Sequence, residues 1–153
     1  MNFFKCLLTV VAITATSTFV SAAHAEESNL DRHGHFYNWG TGQNGFAYCY
    51  EYASDGSVLN QGQPQSTYYC EQREPSHFSW GQGENGYGYC YQYSPRSVVM
   101  NEGHPQRNFE CERYEPSLFS WGEGQDGYTH CYQYTPKGVV MNEGRPMMNN
   151  YCH

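Results

Sequence analysis

The amino-acid sequence predicts an all-β fold made of three tandem repeats of 41 residues, each with about four short strands. First, Trp39, Trp80 and Trp121 are spaced by 41 residues, and so are two sets of three cysteines. Second, Gly and Pro interrupt every stretch long enough for several helical turns, which favours strands. Third, the chain has 15 Tyr and 3 Trp among 153 residues. Such rings can build a core where aliphatic side chains are few.

The first 25 residues have the features of an export signal: Lys5, an apolar run from Leu7 to Val20, and Ala23-His24-Ala25. We expect residues 1–25 to be removed and the protein to be secreted or periplasmic. No later apolar run approaches the roughly 18 residues that a spanning helix needs, so membrane insertion is not expected.

The rest of the chain is predicted to form one domain over residues 37–153. Its repeats are assigned to 37–77, 78–118 and 119–153. Residues 26–36 lack the repeat pattern and are predicted to be a flexible leader.

The mature chain is acidic and poor in aliphatic residues. Without Lys5 it carries 7 Lys and Arg against 15 Asp and Glu, a net charge of −8. Binding to nucleic acid is not expected, because clustered Lys and Arg supply that affinity. After residue 25 the chain has 13 Leu, Ile, Val and Phe in all. The core must therefore depend on aromatic rings and on disulfides, which form in exported proteins.

The second repeat shows how the elements are assigned in order. A first strand contains Phe78-Ser79-Trp80, and Asn85-Gly86 predicts a type I′ hairpin turn, in which both central residues have positive φ. Tyr87 to Tyr93 is the second strand, Val98 to Met100 the third, and Asn108 to Arg113 the fourth.

Twelve strands leave edges that must be closed or covered. A disulfide-stapled β-trefoil closes them within one chain, whereas three propeller blades would need oligomerisation. The layout of Tyr37 to Cys152, with three repeats, a Cys pair and a Trp, resembles the ricin-B-type β-trefoil lectins. Their Gln-x-Trp is replaced by Tyr37-Asn38-Trp39, Phe78-Ser79-Trp80 and Phe119-Ser120-Trp121. The resemblance therefore implies an architecture and carbohydrate binding, without individual sugar ligands.

Six cysteines in three repeats allow two symmetric disulfide patterns. Pairing within repeats joins Cys49 to Cys70, Cys90 to Cys111 and Cys131 to Cys152, and cyclic pairing joins Cys70 to Cys90, Cys111 to Cys131 and Cys152 to Cys49. We predict pairing within repeats, because each repeat is then stapled locally at low loop-closure cost. A metal site and a cofactor are not expected, since C-x-x-C pairs and a His repeated in all three copies are both missing.

The repeated aromatic residues are interpreted as core. This applies to the three Trp and to the tyrosine pairs that alternate along a strand, namely Tyr50 with Tyr52, Tyr91 with Tyr93 and Tyr132 with Tyr134. An enzyme is not expected, because a catalytic site needs one asymmetric constellation and almost every polar feature here occurs three times.

The loop Asn-(Gln/Glu)-Gly-x-Pro is the candidate ligand-binding segment. Its amides and carboxylates can hydrogen-bond the hydroxyls of a sugar, and an Asn-based turn explains the same residues equally well. The predicted ligand-binding residues are Asn60, Gln61, Asn101, Glu102, Asn142 and Glu143.

These observations predict a secreted, lectin-like protein with one weak site per repeat, because linked weak sites gain avidity. Its partner would be a glycan on a cell surface or a polysaccharide. The alternative is a secreted protein-binding factor, such as an inhibitor or a toxin-accessory protein, on the same scaffold. The sequence leaves the sugar and the oligomeric state open.

Overall fold

The computed structural model describes residues 34–153, so the predicted signal peptide and residues 26–33 of the predicted leader lie outside the described residues. A repeated layout of β-hairpin, 3₁₀ turn and short helical segment runs along the chain. The elements are β1 (Phe36–Thr41), β2 (Ala47–Tyr52), a 3₁₀ turn (Asn60–Gly62), α1 (Thr67–Glu71), β3 (His77–Gln82), β4 (Gly88–Tyr93), a 3₁₀ turn (Asn101–Gly103), α2 (Asn108–Glu112), β5 (Leu118–Glu123), β6 (Thr129–Tyr134), and 3₁₀ turns at Asn142–Gly144 and Asn149–Tyr151.

The described strands form three separate two-stranded antiparallel sheets, β1–β2, β3–β4 and β5–β6. In each sheet the Trp pairs with the first Cys of the repeat, as Trp39 does with Cys49. The all-β prediction is confirmed in part, since the described residues are mostly β with two short helices, but the prediction of four strands per repeat is wrong. The third segment makes only isolated bridges, such as Tyr93 with Val99. The fourth becomes helix α2, where no Gly or Pro interrupts Asn108–Glu112.

The hairpin turns lie where Asn-Gly and Asp-Gly predicted them, but they are not of type I′. Five residues, 42–46, connect β1 to β2. Gly45 has a φ of 84°, whereas Asn44 is not among the residues with positive φ. The Asn44 side chain instead accepts a hydrogen bond from the Phe46 amide at 3.3 Å. The longer loop thus needs positive φ at glycine only.

The three disulfides join cysteines within repeats, as predicted. Cys49–Cys70, Cys90–Cys111 and Cys131–Cys152 each span 21 residues, with Cα atoms 5.8 Å apart. These bridges use all six cysteines of the described residues, which are therefore not available as metal ligands.

The core lies where successive repeats meet. Met100 of repeat 2 packs with Trp39, Ala47 and the Cys49–Cys70 bridge of repeat 1. Met141 of repeat 3 packs in the same way with Trp80 and the Cys90–Cys111 bridge of repeat 2. The hairpins of repeats 1 and 2 are thus each covered by the repeat that follows, as in other repeat proteins whose units contact their neighbours.

The hairpin of repeat 3 has no such cover among residues 34–153. Trp39 and Trp80 are 4% and 3% exposed, whereas Trp121 is 47% exposed. The prediction that the tryptophans are core is therefore confirmed for two of them and wrong for Trp121. The predicted trefoil is not confirmed, because the sheets are separate and Trp121 is left uncovered.

Within residues 34–153, no helix has both the length and the apolar character needed to cross a membrane.

Candidate functional site

One face of each hairpin carries a row of three aromatic rings, and we call these nine rings the tyrosine face. Because side chains alternate along a strand, they lie on the side opposite to Trp and Cys. Neighbouring rings meet edge to face, with centroids 6.2–6.4 Å apart. The rings are Tyr48, Tyr50, Tyr52, Tyr89, Tyr91, Tyr93, His130, Tyr132 and Tyr134.

The tyrosine face lies mostly outside the core, so the interpretation of its tyrosine pairs as core residues is confirmed for Tyr132 and wrong for the other five. The buried clusters contain Trp, Cys and Met from the opposite face. Apart from Tyr132, which is 8% exposed, the rings of the tyrosine face are half-buried. They therefore offer aromatic surface to a ligand.

The two glycines of Trp-Gly-x-Gly make room for these rings. A Cβ atom on Gly40 would lie 2.8 Å from both the Tyr50 ring and the Tyr52 hydroxyl, and one on Gly42 would lie 2.8 Å from the Tyr48 ring. Equally close approaches occur at Gly81 and Gly122. The motif thus allows tyrosine rings to lie flat across the first strand.

Burial and crowding change the ionisation of the tyrosine face. Burial raises the pKa of Tyr50, Tyr91 and Tyr93 above the usual value of 10.0. Neighbouring tyrosines raise the pKa of Tyr50 and Tyr91 further. All three hydroxyls are therefore neutral hydrogen-bonding groups at physiological pH.

The predicted Asn-(Gln/Glu)-Gly loop forms the 3₁₀ turn of each repeat, in an unusual backbone conformation. Asn101, Glu102 and Gly103 have φ values of 52°, 53° and 74°, and the equivalent residues of the other repeats match them. Asn and Gly tolerate this left-handed region, but Glu and Gln rarely adopt it.

The Asn side chain of each loop bonds to a strand residue of its own repeat, and in repeats 2 and 3 that residue is a Gln that also bonds to the preceding repeat. Asn101 Nδ2 donates to Gln92 Oε1 at 2.8 Å, and Gln92 Nε2 donates to Ser76 Oγ at 2.6 Å and to Glu71 at 3.4 Å. Asn142, Gln133, Ser117 and Glu112 form the same network in repeat 3. In repeat 1, Asn60 donates to Glu51, which contacts His35 Nδ1 at 3.2 Å. The amide of each Asn therefore fixes the loop.

The residue after each Asn is not part of this hydrogen-bond network. Gln61, Glu102 and Glu143 are exposed. The Tyr48 hydroxyl of the tyrosine face donates to Glu102 Oε1 at 3.3 Å, and Glu143 pairs with Arg145 at 3.2 Å. Two carboxylates are thus held at strained positions where glycine would fit more easily. Strain of this kind is common where a side chain serves a function.

A cleft of about 600 Å³ lies between Tyr87 of repeat 2 and the hairpin of repeat 3. Its aromatic lining comes from Tyr87, Tyr132 and Tyr134, and its acidic lining from Glu123, Asp126 and Glu143. Glu143 is therefore the one predicted ligand-binding residue that lines this cleft.

The cleft of repeat 3 also contains an Asp–His pair that the other repeats lack. His130 Nε2 lies 2.9 Å from the Asp126 carboxylate. Repeats 1 and 2 have an Asn–Tyr pair there, with Asn44 Nδ2 donating to the Tyr48 hydroxyl at 2.7 Å. Hydrogen bonds from the Tyr128 amide and then from His130 lower the pKa of Asp126. The carboxylate is thus ionised at neutral pH.

The six predicted ligand-binding residues occupy one loop in each repeat, and their role in ligand binding stays a prediction. Tyr87 was not predicted from the sequence to line a binding site. The signal was present, because an aromatic ring follows the turn glycine in every repeat, as Phe46, Tyr87 or Tyr128. Among residues 34–153, no group of three or more His, Cys, Asp or Glu is arranged to hold a metal ion.

Comparisons of the chain with protein-family models, with curated proteins and with solved structures gave no match.

Proposed function

We propose that this protein is an exported, multivalent carbohydrate-binding protein whose ligands lie on the tyrosine face beside the Asn-(Gln/Glu)-Gly loops. The observation that carries the proposal is the cleft that combines Tyr87, Tyr132 and Tyr134 with the carboxylates of Glu123, Asp126 and Glu143. Aromatic faces suit the apolar face of a sugar ring, and carboxylates accept hydrogen bonds from its hydroxyls. Sites with an apolar lining and a few convergent polar groups are typical of small-ligand binding.

Within each site, Glu102 and Glu143 act as ligand-binding groups, and Asn101 and Asn142 act as scaffold. The Asn amides are engaged with Gln92 and Gln133. The glutamates are exposed and hold a left-handed conformation that glutamate rarely adopts. In repeat 1 the neutral Gln61 takes this position, so its site lacks one carboxylate.

The charge of the protein narrows the class of sugar. A mature chain with a net charge of −8 and an acidic cleft repels uronic acids and sialic acids. Neutral or amino-bearing sugars are the class that fits, and repeated weak sites favour a polymer or a dense surface glycan.

A protein-binding role is the second candidate, and a different surface favours it. The side chains of Tyr68 and Phe109 on the short helices are 63% and 49% exposed, and the third repeat has Asn150 there. A protein partner can recognise such differences between repeats, because aromatic side chains are common binding anchors.

A glycan array on the oxidised mature protein tests the proposal, followed by the double variant Glu102→Gln with Glu143→Gln. The change is nearly isosteric, and repeat 1 already carries Gln61 at this position. Losing a hydrogen bond to a charged group is expected to weaken each site by about tenfold or more. Affinity for a multivalent surface should fall further than affinity for a free monosaccharide.

The matched control is Asp55→Asn, which removes an exposed carboxylate that does not line the cleft. We expect it to leave glycan binding unchanged. A blank array would contradict the proposal and favour a protein partner. Full binding by the double variant would move the site away from these loops.

A further inference from the structure

Among residues 34–153, no other segment covers either end of the repeat array, and the groups exposed at one end are complementary to those exposed at the other. At both internal interfaces a backbone hydrogen bond and a buried Met join a hairpin to the next repeat. Ala47 N donates to Val99 O and Gly88 N to Val140 O, both at 2.8 Å. The equivalent groups at the ends are Thr129, which is exposed, and Val58, which is 46% exposed.

The apolar contacts at the ends are left open in the same way. Met100 and Met141 are 1% exposed beneath Trp39 and Trp80, whereas their counterpart Leu59 is half-buried. Met100 and Met141 each pack on a Trp of the preceding repeat, and the one Trp left without such a Met among the described residues is Trp121, which is 47% exposed. Terminal units of repeat proteins usually present a polar outer face, so an exposed Trp at this position indicates a binding surface.

A contact between an aromatic ring and a glycine is also present at both internal interfaces and absent at the ends of the described residues. The Phe46 ring approaches within 3.0 Å of the Cβ position of Gly103, and the Tyr87 ring approaches Gly144 equally closely. The next pair in this series is Tyr128 with Gly62. Tyr128 is 71% exposed, and apart from Gly62 and its two chain neighbours no described residue has an atom within 4 Å of the Cβ position of Gly62.

The sizes of facing residues also match across the open ends. A Cβ atom on Gly88 would lie 2.5 Å from Thr135 Cγ2, so Thr135 requires glycine opposite it. At the interface of repeats 1 and 2 the equivalent residues are Ala47 in place of Gly88 and Ser94 in place of Thr135. There Ala47, which is larger than Gly88, lies opposite Ser94, which is smaller than Thr135. At the open ends the equivalent residues are Thr129 and Ala53. Thr129, the largest residue at its position in the three repeats, would thus lie opposite Ala53, the smallest residue at the facing position.

We propose that the uncovered hairpin of repeat 3 binds the Val58–Leu59 segment of a second copy of this chain, so that molecules associate head to tail. Thr129 N donates to Val58 O of the second molecule, Leu59 packs on Trp121, and Tyr128 lies over Gly62. This interface continues the two internal ones, and it is heterologous, so each molecule keeps one free end and the assembly grows or closes into a ring. The proposal does not depend on carbohydrate binding.

Light scattering coupled to gel filtration tests the proposal on the oxidised mature chain over a range of concentrations up to about 1 mM, where weak specific association is detected. We expect the mass to rise with concentration in steps of one chain. A monomer at every concentration would overturn the proposal and would point to residues outside 34–153 as the cover of Trp121.

Two variants test the contribution of each end to self-association. Trp121→Asp blocks one end and Leu59→Asp the other, and each is expected to weaken self-association by about thirty-fold or more, as at a binding hot spot. A mixture of the two variants still has one intact end of each kind. It should therefore form a one-to-one dimer and nothing larger.

A face-to-face dimer through Trp121 would survive Leu59→Asp, and that result would overturn head-to-tail binding. Tyr114→Asp is the matched control, because Tyr114 is 67% exposed and belongs to neither end. Disulfide mapping and circular dichroism report whether each variant is folded. If an Asp variant misfolds, Tyr128→Ala tests the same end at an exposed turn, and unchanged association in that variant would count against the interface.

Discussion

The packing of Met141 predicts a large loss of stability for Met141→Ala. The side chain is 1% exposed and lies against Trp80 and the Cys90–Cys111 bridge. Burying a Met is worth about 1.5–3 kcal/mol, and truncation to Ala adds the cost of a cavity, for a total of about 2–5 kcal/mol. The Cys90–Cys111 bridge limits how far the surrounding residues can relax into the cavity. We therefore expect Met141→Ala to lower the free energy of unfolding by about 3 kcal/mol.

The repeat supplies a matched control at Leu59. This residue occupies the position of Met141 two repeats earlier, but no hairpin covers it among the described residues. Leu59→Ala should therefore cost less than about 1 kcal/mol in dilute protein, as expected of a partly exposed site. At concentrations where molecules associate head to tail, its cost should rise.

Urea unfolding with the disulfides intact measures both effects. With a slope of about 2 kcal/mol/M, a loss of 3 kcal/mol lowers the midpoint by about 1.5 M at constant slope. An equal loss for Leu59→Ala in dilute protein would show that the first repeat is covered as well. A loss under about 1 kcal/mol for Met141→Ala would refute the packing of repeat 3 on repeat 2.

Two further predictions concern facing residues and ionisation. Gly88→Ala should destabilise the protein by about 1–3 kcal/mol, because the new Cβ meets Thr135; adding Thr135→Ser should restore most of the loss in a double-mutant cycle, and additive effects would contradict the contact. The raised pKa values of Tyr50, Tyr91 and Tyr93 mean that the unfolded chain loses these protons first as the pH rises. Stability should be complete below about pH 10 and fall above it, as followed by urea midpoints and tyrosinate absorbance, and a flat profile would contradict the burial of these hydroxyls.

The spacing of residues was sufficient to predict the hairpins, and it reduced the disulfides to two symmetric patterns. A strict 41-residue period makes both the within-repeat and the cyclic patterns symmetric, and Cys49–Cys70 and Cys70–Cys90 close loops of nearly equal length, so the choice depended on stapling each repeat locally. Asn-Gly and Asp-Gly located the turns, since glycine takes the positive φ that the loop requires.

The tyrosine face of each hairpin was assigned to the core, which is wrong for every paired tyrosine except Tyr132. Alternation along a strand shows that Tyr50 and Cys49 point in opposite directions, but it does not tell which side is buried. That choice depends on Met100, which arrives from the next repeat, and on Gly40, which lets the tyrosine rings lie against the strand instead. Contacts between repeats are not encoded in the pattern of a single repeat.

The position of the candidate site was predicted only in part. The sequence singled out Asn101 and Glu102 together as polar residues of one loop. Their different roles depend on a hydrogen bond from Asn101 to Gln92, nine residues earlier, and on the Tyr48 hydroxyl of the preceding repeat. A cleft formed by two repeats is likewise visible only when their packing is known.

The placement of the disulfides determines how the chain responds to a pulling force. Each bridge carries tension directly across the 21 positions that it spans, so those segments do not lengthen while the bridge is intact. The 19 residues between Cys70 and Cys90 lie outside any bridge, and at about 3.5 Å per residue they extend to about 65 Å. Stretching such a molecule between a surface and a load would separate one repeat from the next, then stop at a fixed length that only a reductant could increase.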